Sequence, residues 1–164
     1  MARKRAINNG PRESRPPEMK STRASQSLST VSSVRLVELP IITDPRGSLS
    51  FAEYGDQLPF IPRRYFVVFE VPAGKVRGAH AHLTTEQFLV CVKGSVSIVV
   101  DDGRNSEEVV LNSAATGLYI PPNIWATQQN YSTDAVLLVL SSDVYDPEEY
   151  TRDYQEFKSN LGLR

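Results

Sequence analysis

At 164 residues with a formal net charge of −1, the chain suits one domain with its own core, and its overall charge points to no polyanion-binding body. Hydrophobic residues make up 40% of it, yet no apolar run approaches a membrane span, so no membrane partner is expected. The single Cys91, set in Phe88-Leu89-Val90-Cys91-Val92, excludes an internal disulfide framework and reads as a buried structural thiol in a reducing, cytoplasmic setting.

The charge is unevenly spread. Residues 1–30 carry seven Lys and Arg against Glu13 and Glu18, a balance of +5 that leaves −6 on the remainder. As far as Ser33 the segment is rich in Arg, Pro and Ser, with too few apolar residues to offset the entropy of ordering. A disordered basic extension, 1–33, is expected, without a role in function and without the apolar core of a secretory signal. Basic tails can touch nucleic acid, but the acidic body argues against nucleic acid as a partner of the core.

From Val34 onward, short apolar or alternating runs recur: Val34–Leu39, Ser48–Glu53, Arg64–Val71, Gln87–Val92, Ser95–Val100, Glu107–Leu111, Gly117–Ile120, Ile124–Asn130 and Ala135–Leu140. Turn signals such as Asp44-Pro45-Arg46-Gly47, Lys93-Gly94 and Asp101-Asp102-Gly103 separate them. This pattern predicts an all-β domain, 34–164, of the jelly-roll barrel type. One closing helix is expected, capped by Asp146, with Pro147 in its first turn and Gly162 as its stop. Tyr150, Tyr154, Phe157 and Leu161 then fall on one helical face, as a packing stripe against the barrel or a second subunit.

The candidate chemistry lies in Gly74-Lys75-Val76-Arg77-Gly78-Ala79-His80-Ala81-His82, which holds the only two histidines. In a strand, His80 and His82 share one face and Ala81 takes the other. Such a pair can bind a metal, with Glu86 completing a two-histidine, one-carboxylate set, or can move protons. Without a metal, like-charge repulsion holds each imidazole toward its neutral form, a competent general base near pH 7.

The spacing Gly74, five residues, His80-x-His82, three residues, Glu86, then Gly94 resembles the first cupin motif, with one extra residue before the last glycine. Pro121-Pro122-Asn123-Ile124-Trp125-Ala126 resembles the second, with Ala126 where metal-binding cupins place a further histidine. A narrower resemblance runs from about Val34 to Phe157. It is carried by Asp44-Pro45-Arg46-Gly47-Ser48-Leu49, Arg77-Gly78-Ala79-His80-Ala81-His82, Gly117-Leu118-Tyr119-Ile120-Pro121-Pro122, Trp125 and Ser142-Asp143-Val144-Tyr145-Asp146. With Tyr150-Thr151-Arg152-Asp153-Tyr154, these are similar to the dTDP-4-keto-6-deoxyhexose 3,4-ketoisomerases, metal-independent cupins.

The resemblance implies a cytoplasmic, cofactor-free homodimer acting on a dTDP-linked 4-keto-6-deoxy sugar in deoxyamino-sugar biosynthesis, for lipopolysaccharide or S-layer glycans. By motif position His80 is the expected base and His82 its shuttle or acid. Arg77, Tyr65 and Tyr119 are candidates to stabilise the enediolate oxygen. Arg46 and Arg64 are candidates for the diphosphate, and Trp125 either stacks on thymine or sugar or is a core indole. Ala126 departs from relatives that carry a basic or polar residue there, which bears on substrate choice. The alternatives are a 3,5-epimerase-type cupin, a non-catalytic sugar-binding cupin with a nucleic-acid-touching tail, and a metal-dependent cupin oxygenase.

Overall fold

Alternation along the strands decides what fills the centre of the molecule. In a computed structural model, which describes residues 31–163, the chain runs through β1 (Arg35–Glu38), β2 (Ile41–Asp44), β3 (Gly47–Ser50), β4 (Arg64–Phe69) and β5 (Arg77–His82). It continues through β6 (Gln87–Lys93), β7 (Val96–Asp101), β8 (Ser106–Leu111), β9 (Thr116–Ile120), β10 (Trp125–Gln129) and β11 (Val136–Ser141). A 3-10 turn (Pro147–Glu149), β12 (Tyr150–Thr151) and α1 (Tyr154–Asn160) close it. In β11, Leu137 and Val139 are fully buried while Val136, Leu138 and Leu140 are only half-buried, as a two-residue period requires.

Two antiparallel five-stranded sheets result, ordered β1-β9-β6-β11-β4 and β12-β5-β10-β7-β8, with β2-β3 as a separate hairpin. From β4 to β7, and again from β8 to β12, the chain crosses between the sheets at each step, as in the expected jelly roll. Leu89, Cys91, Leu118 and Leu137 of one sheet share a core with Val96, Ile98 and Val100 of the other. Cys91 is 1% exposed, its thiol donates to the Lys93 carbonyl, and burial pushes its pKa up, as befits a structural thiol. A second cluster, with Val37, Phe88 and Val90, lies on the outer face of the first sheet beneath Leu58 and Phe60. The outer face of the second sheet is covered by α1, where Trp125 meets the rings of Tyr154 and Phe157 at 5.2 and 5.7 Å.

Two expectations are adjusted. Val31 is fully buried, and the Val34 amide donates to its carbonyl at 3.0 Å, so the packed body begins ahead of Val34. The expectation of disorder for the basic extension falls on residues 1–30, outside the described residues. The single closing helix is instead two capped pieces. Asp146 does cap, accepting from the Glu148 amide, but only for the three-residue 3-10 turn. Asp153 then accepts from the Gln155 and Glu156 amides at 2.8 Å and starts α1. Tyr150, between them, leaves the helical stripe and joins a strand.

β5 carries one irregularity. Ala126 pairs with His80 but Thr127 pairs with Gly78, so Ala79 is an extra residue, a β-bulge. Gly78 and Ala79 both take left-handed backbone angles, φ 72° and 54°. A Cβ on Gly78 would lie 2.8 Å from the Ala126 carbonyl oxygen. Gly78→Ala is therefore expected to lower stability by about 1–3 kcal/mol in urea unfolding and to disturb the register leading to His80.

Candidate active site

The bulge sets which side chains share a face. Trp125 sits across from Ala81, and Ala126 across from His80. Ala126 in turn faces Val100, which is fully buried between the sheets, so His80 and His82 point into the sandwich while Ala81 and Trp125 point out toward α1. Beyond the bulge Arg77 faces Gln128, which lies opposite buried Ile98. Without the extra residue Arg77, three positions before His80, would fall on the opposite face.

The two imidazoles stand edge to face, with ring centroids 5.0 Å apart and planes at 85°. Tyr150, paired with His82 across β12–β5, places its ring 4.9 Å from His80 and 4.5 Å from His82. The Gln87 amide nitrogen lies 3.1 Å from His82 Nε2. An amide N–H donates, so Nε2 accepts and the proton of neutral His82 sits on Nδ1. A row across the first sheet, Arg64–Ser141–Gln87, faces this group. Arg64 also donates to the Tyr150 hydroxyl at 3.4 Å.

Among the described residues, three buried side-chain polar atoms lack a hydrogen-bond partner: His82 Nδ1, Arg64 Nε and Ser141 Oγ. All three belong to this one neighbourhood. Native structures rarely leave such atoms unpaired, so their concentration marks a place that a polar ligand or water completes.

The site's electrostatics favour neutral imidazoles. Burial, then the charges of His80 and Arg64, lower His82 to about 4. Burial also lowers His80, opposed by a hydrogen bond with the Gly78 backbone and aided by Arg152. A backbone bond that favours the charged form is one in which a ring N–H donates to the carbonyl, leaving the other ring nitrogen as a free acceptor. The segment carrying Tyr150 is fastened by Glu149, whose carboxylate accepts from the amide and hydroxyl of both Thr84 and Thr85 at 2.9–3.1 Å. Those bonds lower its pKa against the cost of burial.

Of the residues expected from the sequence, the fold brings His80, His82 and Arg64 together and sets Arg77 on the same face of β5. It does not bring the others. Trp125 is half-buried on the outer face, against Tyr154 and Phe157. Tyr65 is 69% exposed on the outer face of β4, one residue out of phase with Arg64. Tyr119 donates to Glu86 at 2.5 Å and packs with the outer cluster, and its pKa is pushed up to about 12 by burial and by that carboxylate. Arg46 is at the tip of the β2–β3 hairpin, paired with Asp44. The two-histidine, one-carboxylate set is not assembled, because Glu86 is committed to Tyr119. Among the described residues no three His, Cys, Asp or Glu side chains gather as metal ligands. Tyr150, Gln87, Ser141 and Glu149 were missed, although Gln87 and Ser141 carry a signal: each is polar at an inward position of an otherwise apolar strand.

Residues 32–162 match the family model described as "FdtA: WxcM-like, C-terminal". The chain belongs to this family. It is 40% identical over 127 residues, covering 77% of this chain and 91% of the relative, to TDP-4-oxo-6-deoxy-alpha-D-glucose-3,4-oxoisomerase of Aneurinibacillus thermoaerophilus. Among solved structures it resembles a 3,4-ketoisomerase from Helicobacter canadensis (39% identity, TM-score 0.76, covering 79% of this chain and 97% of that one). It also resembles the WlaRB TDP-quinovose 3,4-ketoisomerase from Campylobacter jejuni (42% identity, TM-score 0.75, covering 77% and 98%). The matched range includes β5 and its inward histidine pair.

The buried, neutral His82 has a consequence for stability. Its pKa is about 4 when folded and 6.5 in the reference state, so below pH 6.5 the unfolded chain binds the proton that the folded chain refuses. Stability should fall by up to ~3 kcal/mol as pH drops from 6.5 toward 4, measured by urea unfolding. His82→Gln should flatten that slope.

Proposed function

We propose that this chain catalyses the 3,4-keto isomerisation of a dTDP-linked 4-keto-6-deoxyhexose, with His80 as the base. The observation that carries the reading is the pair of uncharged imidazoles on the inner face of β5, in a chain of this family. The relative from Aneurinibacillus is named for the same conversion of a TDP-4-oxo-6-deoxyglucose.

In the substrate, the C4 carbonyl acidifies the proton on C3. The free ring nitrogen of His80 takes that proton, the C3–H electron pair forms the C3–C4 double bond, and negative charge moves to the C4 oxygen. The hydroxyl proton of O3 passes to O4. A proton returned at C4 then forms the new C–H bond and leaves the carbonyl at C3. No electrons enter or leave overall, so no external oxidant or reductant is required. His80 suits the base role because the Gly78 backbone fixes one ring nitrogen and restores part of the basicity that burial removes. His82, lowered to about 4, resists taking the proton and serves as a neutral N–H donor or relay beside it.

Arg64 contributes positive charge at the mouth between β4 and β12, where it suits the charge of the sugar intermediate or of the diphosphate. The homodimer belongs to the same proposal and is supported by the exposed apolar side chains Tyr65, Val67 and Phe69 in line on β4. Cytoplasmic placement is supported by the free buried Cys91. No helix among the described residues is long and apolar enough to cross a membrane.

Incubation with dTDP-4-keto-6-deoxyglucose in D2O, followed by NMR, tests the reading. The wild type is expected to exchange the C3 proton and to form a C3 ketone; no exchange, or inversion of carbons with the ketone still at C4, would sink it. His80→Asn is expected to abolish exchange while the thermal unfolding midpoint stays within a few degrees. The acid limb of the rate should lie below pH 6.5, because a lowered His80 pKa keeps the base deprotonated to lower pH.

A further inference from the structure

The sequence offered Arg77, Tyr65 and Tyr119 as donors for the enediolate oxygen, and the fold removes both tyrosines: one faces solvent, the other is committed to Glu86. A different tyrosine stands in the right place. The geometry points to Tyr150 as a further catalytic residue, whose hydroxyl donates to the sugar oxygen that gathers charge in the enediolate; this rests on the ketoisomerase reading above.

Four observations carry it. Tyr150 is directly paired with His82, and its ring touches both imidazoles, so a sugar carbon within reach of His80 is also near the phenol. Arg64 donates to the phenol oxygen at 3.4 Å. That bond uses a lone pair and leaves the O–H hydrogen free to be donated, while the guanidinium polarises the O–H bond. Arg152 stacks its guanidinium over the same ring, 4.4 Å from the centroid, and places a second positive charge beside a developing oxyanion. Finally, the adjacent His82 Nδ1, in a residue only 7% exposed, has no partner, so an unsatisfied buried polar atom faces the inner side, next to the phenol. The donor is preorganised: Glu149, the preceding residue, is held by its four bonds to Thr84 and Thr85.

No proton leaves Tyr150 for good in this role. Its hydroxyl donates a hydrogen bond while charge sits on O4 and relaxes when the carbonyl re-forms at C3.

The test is Tyr150→Phe in the full chain, which keeps the ring on both imidazoles and removes the hydroxyl alone. With dTDP-4-keto-6-deoxyglucose in D2O, C3 exchange and ketone formation should fall together, by about 100-fold or more, with KM changed less than about threefold. Rates within about threefold of wild type overturn the proposal, as does a rise in KM alone. Exchange that persists while product formation stops also overturns it, since the hydroxyl would then deliver the C4 proton. If Tyr150→Phe does not fold, 3-fluorotyrosine at position 150 retains ring and hydroxyl with a more acidic phenol. The alkaline limb of the pH profile should then move to lower pH, and an unmoved limb counts against the role. An inactive wild type is a different result: it removes the ketoisomerase reading itself, and this assignment with it.

Discussion

A strand must show alternate side chains to alternate faces, and the site depends on β5 obeying that rule at its end and breaking it once at its start. His80 and His82 enter the sandwich because the period is two, and Ala81 between them is small enough to lie under the covering helix at 2% exposure. The bulge at Ala79 then turns Arg77 onto the same face. Only a glycine fits beside the Ala126 carbonyl at the preceding position, so the run Arg77-Gly78-Ala79-His80-Ala81-His82 is a mechanical unit: charge, hinge, spacer, ring, filler, ring. Removing the extra residue would send Arg77 to the layer opposite the two histidines.

Enclosing two imidazoles among arginines fixes their chemistry. Burial penalises the imidazolium, and Arg64 and Arg152 add repulsion to any proton that arrives. The same cations attract an anion. The pocket thus disfavours the protonated histidine in its resting state and favours a negatively charged ligand or intermediate beside it. In the proposed isomerisation, enediolate charge next to the ring gives the new imidazolium a counter-charge that the surrounding arginines do not supply. On that proposal the proton acceptor is reluctant until the substrate itself supplies the compensation, which is differential stabilisation of the charged intermediate over the ground state.

Much of this was legible in the sequence because alternation and turn chemistry are local. The strands of the two sheets other than β12, the β2–β3 turn at Pro45-Arg46, the shared face of the two histidines and the buried thiol all follow from short-range rules. What was missed follows from pairing between distant segments. Trp125 and His80 lie on opposite faces only because Trp125 pairs with Ala81, a register that no composition reveals. Tyr65 was separated from Arg64 by one step of the same alternation, which the sequence did contain. Tyr119 looked like a donor to substrate until Glu86 took its hydroxyl from across the strand pair.

Tyr150 is the instructive case, since a correct cap and a correct helical spacing led to the wrong element. Asp146 and Asp153 both cap, and two caps seven positions apart mark two starts rather than one helix. Between them the chain has a choice between continuing a helix and pairing with β5. Two residues of strand have little stability of their own, and helix propensity across the segment is unremarkable. The decision falls to Glu149: its carboxylate finds four donors on Thr84 and Thr85, its own carbonyl accepts from the Leu83 amide, and in a continuous helix its side chain would turn away from them. A clamp on one residue therefore places the next, and the ring of Tyr150 reaches the histidines because tertiary hydrogen bonds outweigh a local preference.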